Sequence, residues 1–213
     1  MSSRWRSLLL CLALWPALSA ASPDPAAGKA LHSLFDSDWE RQLKESPVSA
    51  SFLGDPRYND RWADLSPAAI EASKQAVRDS RAKLLAIDRA ALSEADQLNY
   101  DIYLRQLDDQ IAGFVFPTEV MPVSHQGGVH SIADSLMQGL RFEGEKDYAD
   151  WIARLRGYGV YMDQNIALMR EGMKRNVLLP KVVVQRVRAQ VAELAAQCKF
   201  NDCSHQAEPG CAV

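Results

Sequence analysis

The residues of this 213-residue chain best placed to do chemistry lie in SHQGGVHS, residues 124–131, where His125 and His130 bracket Gly127 and Gly128. Two imidazoles suggest metal ligation, but a helical pair needs i, i+4 spacing to share a face. Five residues correspond to about 500° of rotation and leave the rings roughly 140° apart, and the two glycines disfavour helix there. A loop could still turn both rings toward one point, but no third ligand stands nearby at a standard spacing. Adjacent glycines also expose backbone N–H and C=O groups and let another chain approach closely. With neutral donors and acceptors on His125, Gln126 and His130, the stretch reads as a substrate-contacting loop suited to a peptide backbone. The plainer reading, a turn leading into a helix capped near Ser131, stands beside it.

Other catalytic patterns are absent from the sequence. None of His32, His125, His130 and His205 is followed by Glu, so there is no His-Glu-x-x-His zinc helix. There is no Gly-x-Ser-x-Gly nucleophile elbow, and no glycine-rich loop opens a helix to cradle phosphate. The aspartates are numerous and are expected to be solvated or to cap helices. Near the end, Cys198, Cys203, His205 and Cys211 contain four donor side chains. Their spacing fits no standard zinc finger, so a four-ligand site is weighed there against an incidental Cys-containing tail, residues 198–213.

The elements that must position the loop are helical. Hydrophobic content of 47% with 24% charged residues excludes a disordered chain, and a net charge of −3 without a dense Lys/Arg block gives no support to nucleic-acid binding. Residues 1–21 read as a secretory signal. Arg4 and Arg6 precede an apolar run, Leu8 to Leu18, that is too short to span a bilayer, and Ser19 to Ser22 supply small residues for cleavage. The mature protein is therefore expected to be exported, periplasmic or secreted, with no stable membrane span. Residues 22–30 read as a Pro/Ala linker.

Leu31, Leu34, Phe35, Trp39 and Leu43 then form one helical stripe. Residues 47–67 read as a breaker-rich connection pinned by Phe52, Leu53, Tyr58, Trp62 and Leu65. Ser66-Pro67 opens a helix with Ile70, Val77, Leu84 and Leu85 inward. Ser93 with Asp96 opens another, with Tyr100, Tyr103, Leu104, Leu107 and Ile111 on its apolar face. A short strand-like segment is expected around 113–130. A long helix then carries Trp151, Leu155, Met162, Ile166, Met169 and Met173, with a bend or close packing at Gly157 and Gly159. After Pro180, Val183, Val187, Val191 and Leu194 share a face. The fold class is all-α, a multi-helix array over residues 31–197 with one irregular segment.

Read in order, LFDSDWERQLKESPVSASFLGDPRYNDRWADLS, LSEADQLNYDIYLRQL, MPVSHQGGVHS and KDYADWIARLRGYGVYMDQNIALMREGMKRNVLLPKVVVQRV resemble the N-terminal portion of a bacterial family labelled domain of unknown function 885. The likeness spans roughly residues 31–195. It implies an exported, mainly helical, zinc-peptidase-like hydrolase, longer than this chain, in which metal-activated water attacks a peptide carbonyl. The zinc expected in full-length relatives would sit on a His-Glu motif downstream of these residues, so no catalytic or metal residue and no cofactor is assigned within this chain. Only the HQGGVH loop has a counterpart in this half, a similar Gly-Gly-x-His segment. The resemblance is expected to fade near Gln197, which would make this an inactive N-terminal fragment. The alternative is a self-standing periplasmic binding domain.

Overall fold

The computed structural model describes residues 23–196. The expected signal segment and the Cys198–Cys211 cluster lie outside the described residues.

Proline punctuates the first half by starting helices. Asp24 caps α1 (Pro25–Glu45), its side chain accepting from Ala26 N at 2.8 Å, with Pro25 in the first turn. The segment expected as a linker is thus the first turn of a helix, because a missing proline N–H is harmless where no intrahelical partner exists. Pro47 likewise opens α2 (Pro47–Phe52), followed by a 3₁₀ turn at Pro56–Tyr58. The expected breaker-rich connection is therefore helical over Pro47–Phe52 and Pro56–Tyr58. Ser66 caps α3 (Pro67–Leu85) through Ala69 N, and Ser93 caps α4 (Glu94–Gly113) through Asp96 N, both as the sequence indicated.

Helices α1, α3 and α4 pack on one another around Leu31, Leu34, Val77, Leu84, Leu92, Tyr100 and Leu107. Burying each such side chain contributes about 2 kcal/mol. The same helices hold a buried carboxylate, Asp38, which accepts from Ser80 Oγ at 2.6 Å and from Tyr103 OH, with Arg41 Nε at 3.4 Å. Burial, then the hydrogen bond to Asp38, pushes the Tyr103 phenol above its ordinary range. Trp39 and Leu85, expected inward, are instead about half exposed, as are Phe52 and Leu53.

The strand character expected around 113–130 reduces to a two-residue ladder, β1 (Val123–Ser124) antiparallel to β2 (Gly127–Gly128), preceded by a 3₁₀ turn at Thr118–Val120. There follow α5 (Ile132–Gly139), α6 (Glu145–Lys174) and α7 (Lys181–Ala195). The Asp147 side chain closes the start of α6 by accepting from Glu143 N and Gly144 N, each at 2.9 Å. The helix ends in a Schellman motif. Val177 N donates to Gly172 O, Asn176 N donates to Met173 O, and Asn176 adopts φ 56°.

The long helix α6 is packed inside out relative to its sequence pattern. Its buried residues are Arg154, Asn165 and Gly172, whereas Leu155 (44% exposed), Ile166 (40%), Met169 (37%) and Met173 (68%) face outward. The stripe expected to be core is mostly surface. Gly157 packs close to Trp62, as expected, but Gly159 faces open space. On α7, Val183, Val187 and Val191 are half-buried and Val182 and Val184 exposed.

Candidate functional site

Trp62 anchors the connection between α2 and α3 to α6. It is buried and stacks on Tyr161 with centroids 4.8 Å apart, and its Nε1 donates to Arg154 O at 2.7 Å. In return, the fully buried Arg154 donates from Nε to Arg61 O at 3.0 Å and from Nη2 to Tyr58 O at 2.6 Å. Its guanidinium carbon lies 5.5 Å from the Trp62 ring centre. Among the described residues no carboxylate bonds it directly, and Nη1 is buried without a partner. Burial lowers its pKa to about 10 against the weaker pull of Asp60 and Asp150. Through Tyr161, on which Trp62 stacks, the clamp backs one wall of a cleft whose lining includes neither Trp62 nor Arg154.

The β1–β2 hairpin forms the other wall. A Cβ at Gly128 would lie 2.6 Å from Pro122 O and 2.8 Å from Val123 Cα. The backbone that approaches this glycine so closely is therefore the hairpin's own partner strand. Tyr158 OH on α6 donates to Val129 O at 2.6 Å. On α7, Gln190 Nε2 donates to His125 O at 2.9 Å, and its Oε1 lies 3.2 Å from His130 Nε2. Among the described residues, the buried Nδ1 of His130 has no partner.

The cleft between these walls holds about 660 Å³ and is lined by Gln126, Gly127 and Gly128 from the loop, Val48 and Phe52 from α2, and Tyr161, Asn165 and Leu168 from α6. It shares Leu65, Ile70, Thr118 and Glu119 with a neighbouring lobe of about 820 Å³, lined further by Phe114, Phe116, Lys44 and Lys74. At the junction Lys74 Nζ meets Glu119 at 3.0 Å. That bond raises the Lys74 pKa; burial pushes Glu119 upward, but its own backbone N–H and Lys74 outweigh it and hold the carboxyl below its ordinary value.

Of the five residues the sequence singled out, Gln126, Gly127 and Gly128 reach the cleft, while His125 and His130 are tied through Gln190 toward α7. The two histidines do not form a ligand pair completed by a third donor. Among the described residues no group of three His, Cys, Asp or Glu side chains is placed to hold a metal ion. The groove offers apolar walls, exposed backbone, hydroxyls and amides, and in the larger lobe the charged Arg41, Lys44, Glu45, Asp64, Lys74 and Glu119. Sequence reading missed Arg154, Asn165 and Gln190, since nothing in spacing separates a buried arginine from a solvated one.

The bacterial family of unknown function DUF885 matches residues 47–209, most of the chain, and the protein belongs to that family. The match begins later than the sequence resemblance suggested and runs past Gln197, where the likeness was expected to fade. Short stretches are also similar to small ribosomal subunit biogenesis GTPases RsgA. They are 60% identical over 30 residues to the Streptomyces coelicolor protein (14% of this chain, 8% of that one), and 72% over 25 residues to the Xanthomonas campestris pv. campestris protein (12% and 7%). The chain thus spans less than a tenth of the length of these curated relatives. No solved structure matches it.

Proposed function

We propose that this helical region is the substrate-holding N-terminal part of an exported, zinc-peptidase-like hydrolase, with the metal motif outside the described residues and no hydrolysis by this chain alone. One observation carries the reading. Along α6 the polar Arg154 and Asn165 are buried, while Leu155, Ile166 and Met169 face solvent, a pattern suited to a helix shared between two bodies. The two-lobed groove beside it is open enough for an extended peptide, with the Gly127–Gly128 backbone along one edge. Export rests on the basic start and apolar run of residues 1–21.

The test is incubation of the purified chain with a fluorescent peptide library, with and without zinc. Retention of peptide without cleavage is the expected result; zinc-dependent cleavage by the 213-residue chain overturns the reading. The rival, a self-standing periplasmic binding domain, draws on the groove being walled by residues of this chain. It requires a sharp, reversible melt, whereas a region with an uncovered helix face should melt broadly and self-associate. The GTPase role carried by the RsgA names is not adopted, because those matches cover 12–14% of the chain.

A further inference from the structure

The bend between α6 and α7 has a surface unlike the rest of the chain. Residues 169–188 hold Arg170, Lys174, Arg175, Lys181, Arg186 and Arg188 against the single acid Glu171, in a protein whose net charge is −3. All six cations are exposed. Interleaved with them are apolar side chains turned to solvent: Met173 (68% exposed), Leu178 (58%) and Val182 (56%). The Schellman motif at Asn176 fixes the bend, and Val183 and Val187 take the inner side of α7, leaving Lys181, Val182 and Arg186 on its outer side.

From this we propose that the α6–α7 bend is a peripheral docking surface for an anionic phospholipid bilayer. The choice of occupant follows from charge and shape. A cationic, apolar-tipped bend complements a negatively charged surface, and among the described residues neither lobe of the groove is lined by it. Apolar tips on a convex bend enter the interface between headgroups and acyl chains without a matching shape, while the lysines and arginines stay with the phosphates. No described helix is long and apolar enough to cross a membrane, which fits attachment at the surface. The proposal does not depend on hydrolysis by this chain, and it needs Met173, next to Met169 on α6, to stay clear of any second body on that face.

The test uses the full 213-residue chain in co-sedimentation with phosphatidylcholine vesicles containing roughly a third phosphatidylglycerol. Binding to these and not to pure phosphatidylcholine is expected, weakening several-fold as salt rises. Lys174→Gln with Lys181→Gln should reduce it about 25-fold, about fivefold for each charge near the surface, and Leu178→Ser should reduce it further. Arg105→Gln, on the exposed face of α4, should leave it unchanged. Circular dichroism confirms that each variant is folded. Absence of binding to the anionic vesicles, or an equal loss with Arg105→Gln, overturns the proposal. Retention of the chain on polyglutamate but not on vesicles also overturns it, in favour of an acidic protein partner.

Discussion

The body formed by α1, α3 and α4 and the region built on α6 obey opposite packing rules. In the first, the apolar stripes of three helices meet, Leu84 and Leu107 are almost fully buried, and the one buried carboxylate, Asp38, is answered by Ser80, Tyr103 and Arg41. In the second, α6 buries an arginine with an orphaned Nη1 and shows Leu155, Ile166, Met169 and Met173 to water. The first region is consistent with folding for its own sake. The second spends its polar groups on holding a connection and a hairpin in place, and keeps an apolar face uncovered. That difference separates scaffold from site.

The sharpest way to break the comparison is Arg154→Ala. It strands the carbonyls of Tyr58 and Arg61, removes the cation over Trp62 and opens a cavity. A loss of about 3–5 kcal/mol is expected in urea unfolding, with loss of peptide retention by the groove. A change under about 1 kcal/mol would mean the clamp is incidental. Gly128→Ala comes next. Its Cβ would collide with Pro122 O and Val123 Cα, so the hairpin must open, with about 2 kcal/mol expected in the same measurement and weaker ligand retention.

The smallest effect is in acid. Asp55, Asp60 and Asp101 lie below their ordinary pKa chiefly through hydrogen bonds from Arg57, Arg61 and Arg89 respectively. A depressed folded pKa contributes stability above the unfolded value and loses it as pH falls through the folded one. Melting temperature should therefore hold from neutrality to about pH 4 and decline modestly below it, as followed by circular dichroism. A decline beginning well above that would point to other groups.

Much of the scaffold was legible in the sequence because apolar periodicity and caps are local signals. Ser66-Pro67 and the Ser93–Asp96 box lie where spacing placed them. Asp24-Pro25 and Pro47 read as linker and breaker in the sequence, although proline at a first helical turn is harmless; Asp24 caps its helix and Ser46 makes no side-chain cap. The site was legible only in part. The loop 124–131 was found from its composition, but Gly128 answers to its own neighbouring strand, and the histidines are drawn off by Gln190, sixty residues away from His130 in sequence. The orientation of α6 was not legible. Periodicity marks Leu155, Ile166 and Met169 as one apolar face, and it does not say which body that face meets.

That face decides the account most directly. The measurement is equilibrium unfolding of Leu84→Ser beside the triple variant Leu155→Ser, Ile166→Ser and Met169→Ser. The expected result is a loss of about 3 kcal/mol or more for the single core change and less than about 1 kcal/mol for the three surface changes together, with reduced self-association of the triple variant. A triple variant that loses as much as Leu84→Ser would show α6 already covered within this chain and would contradict the division between a self-sufficient body and a helix shared with a second one.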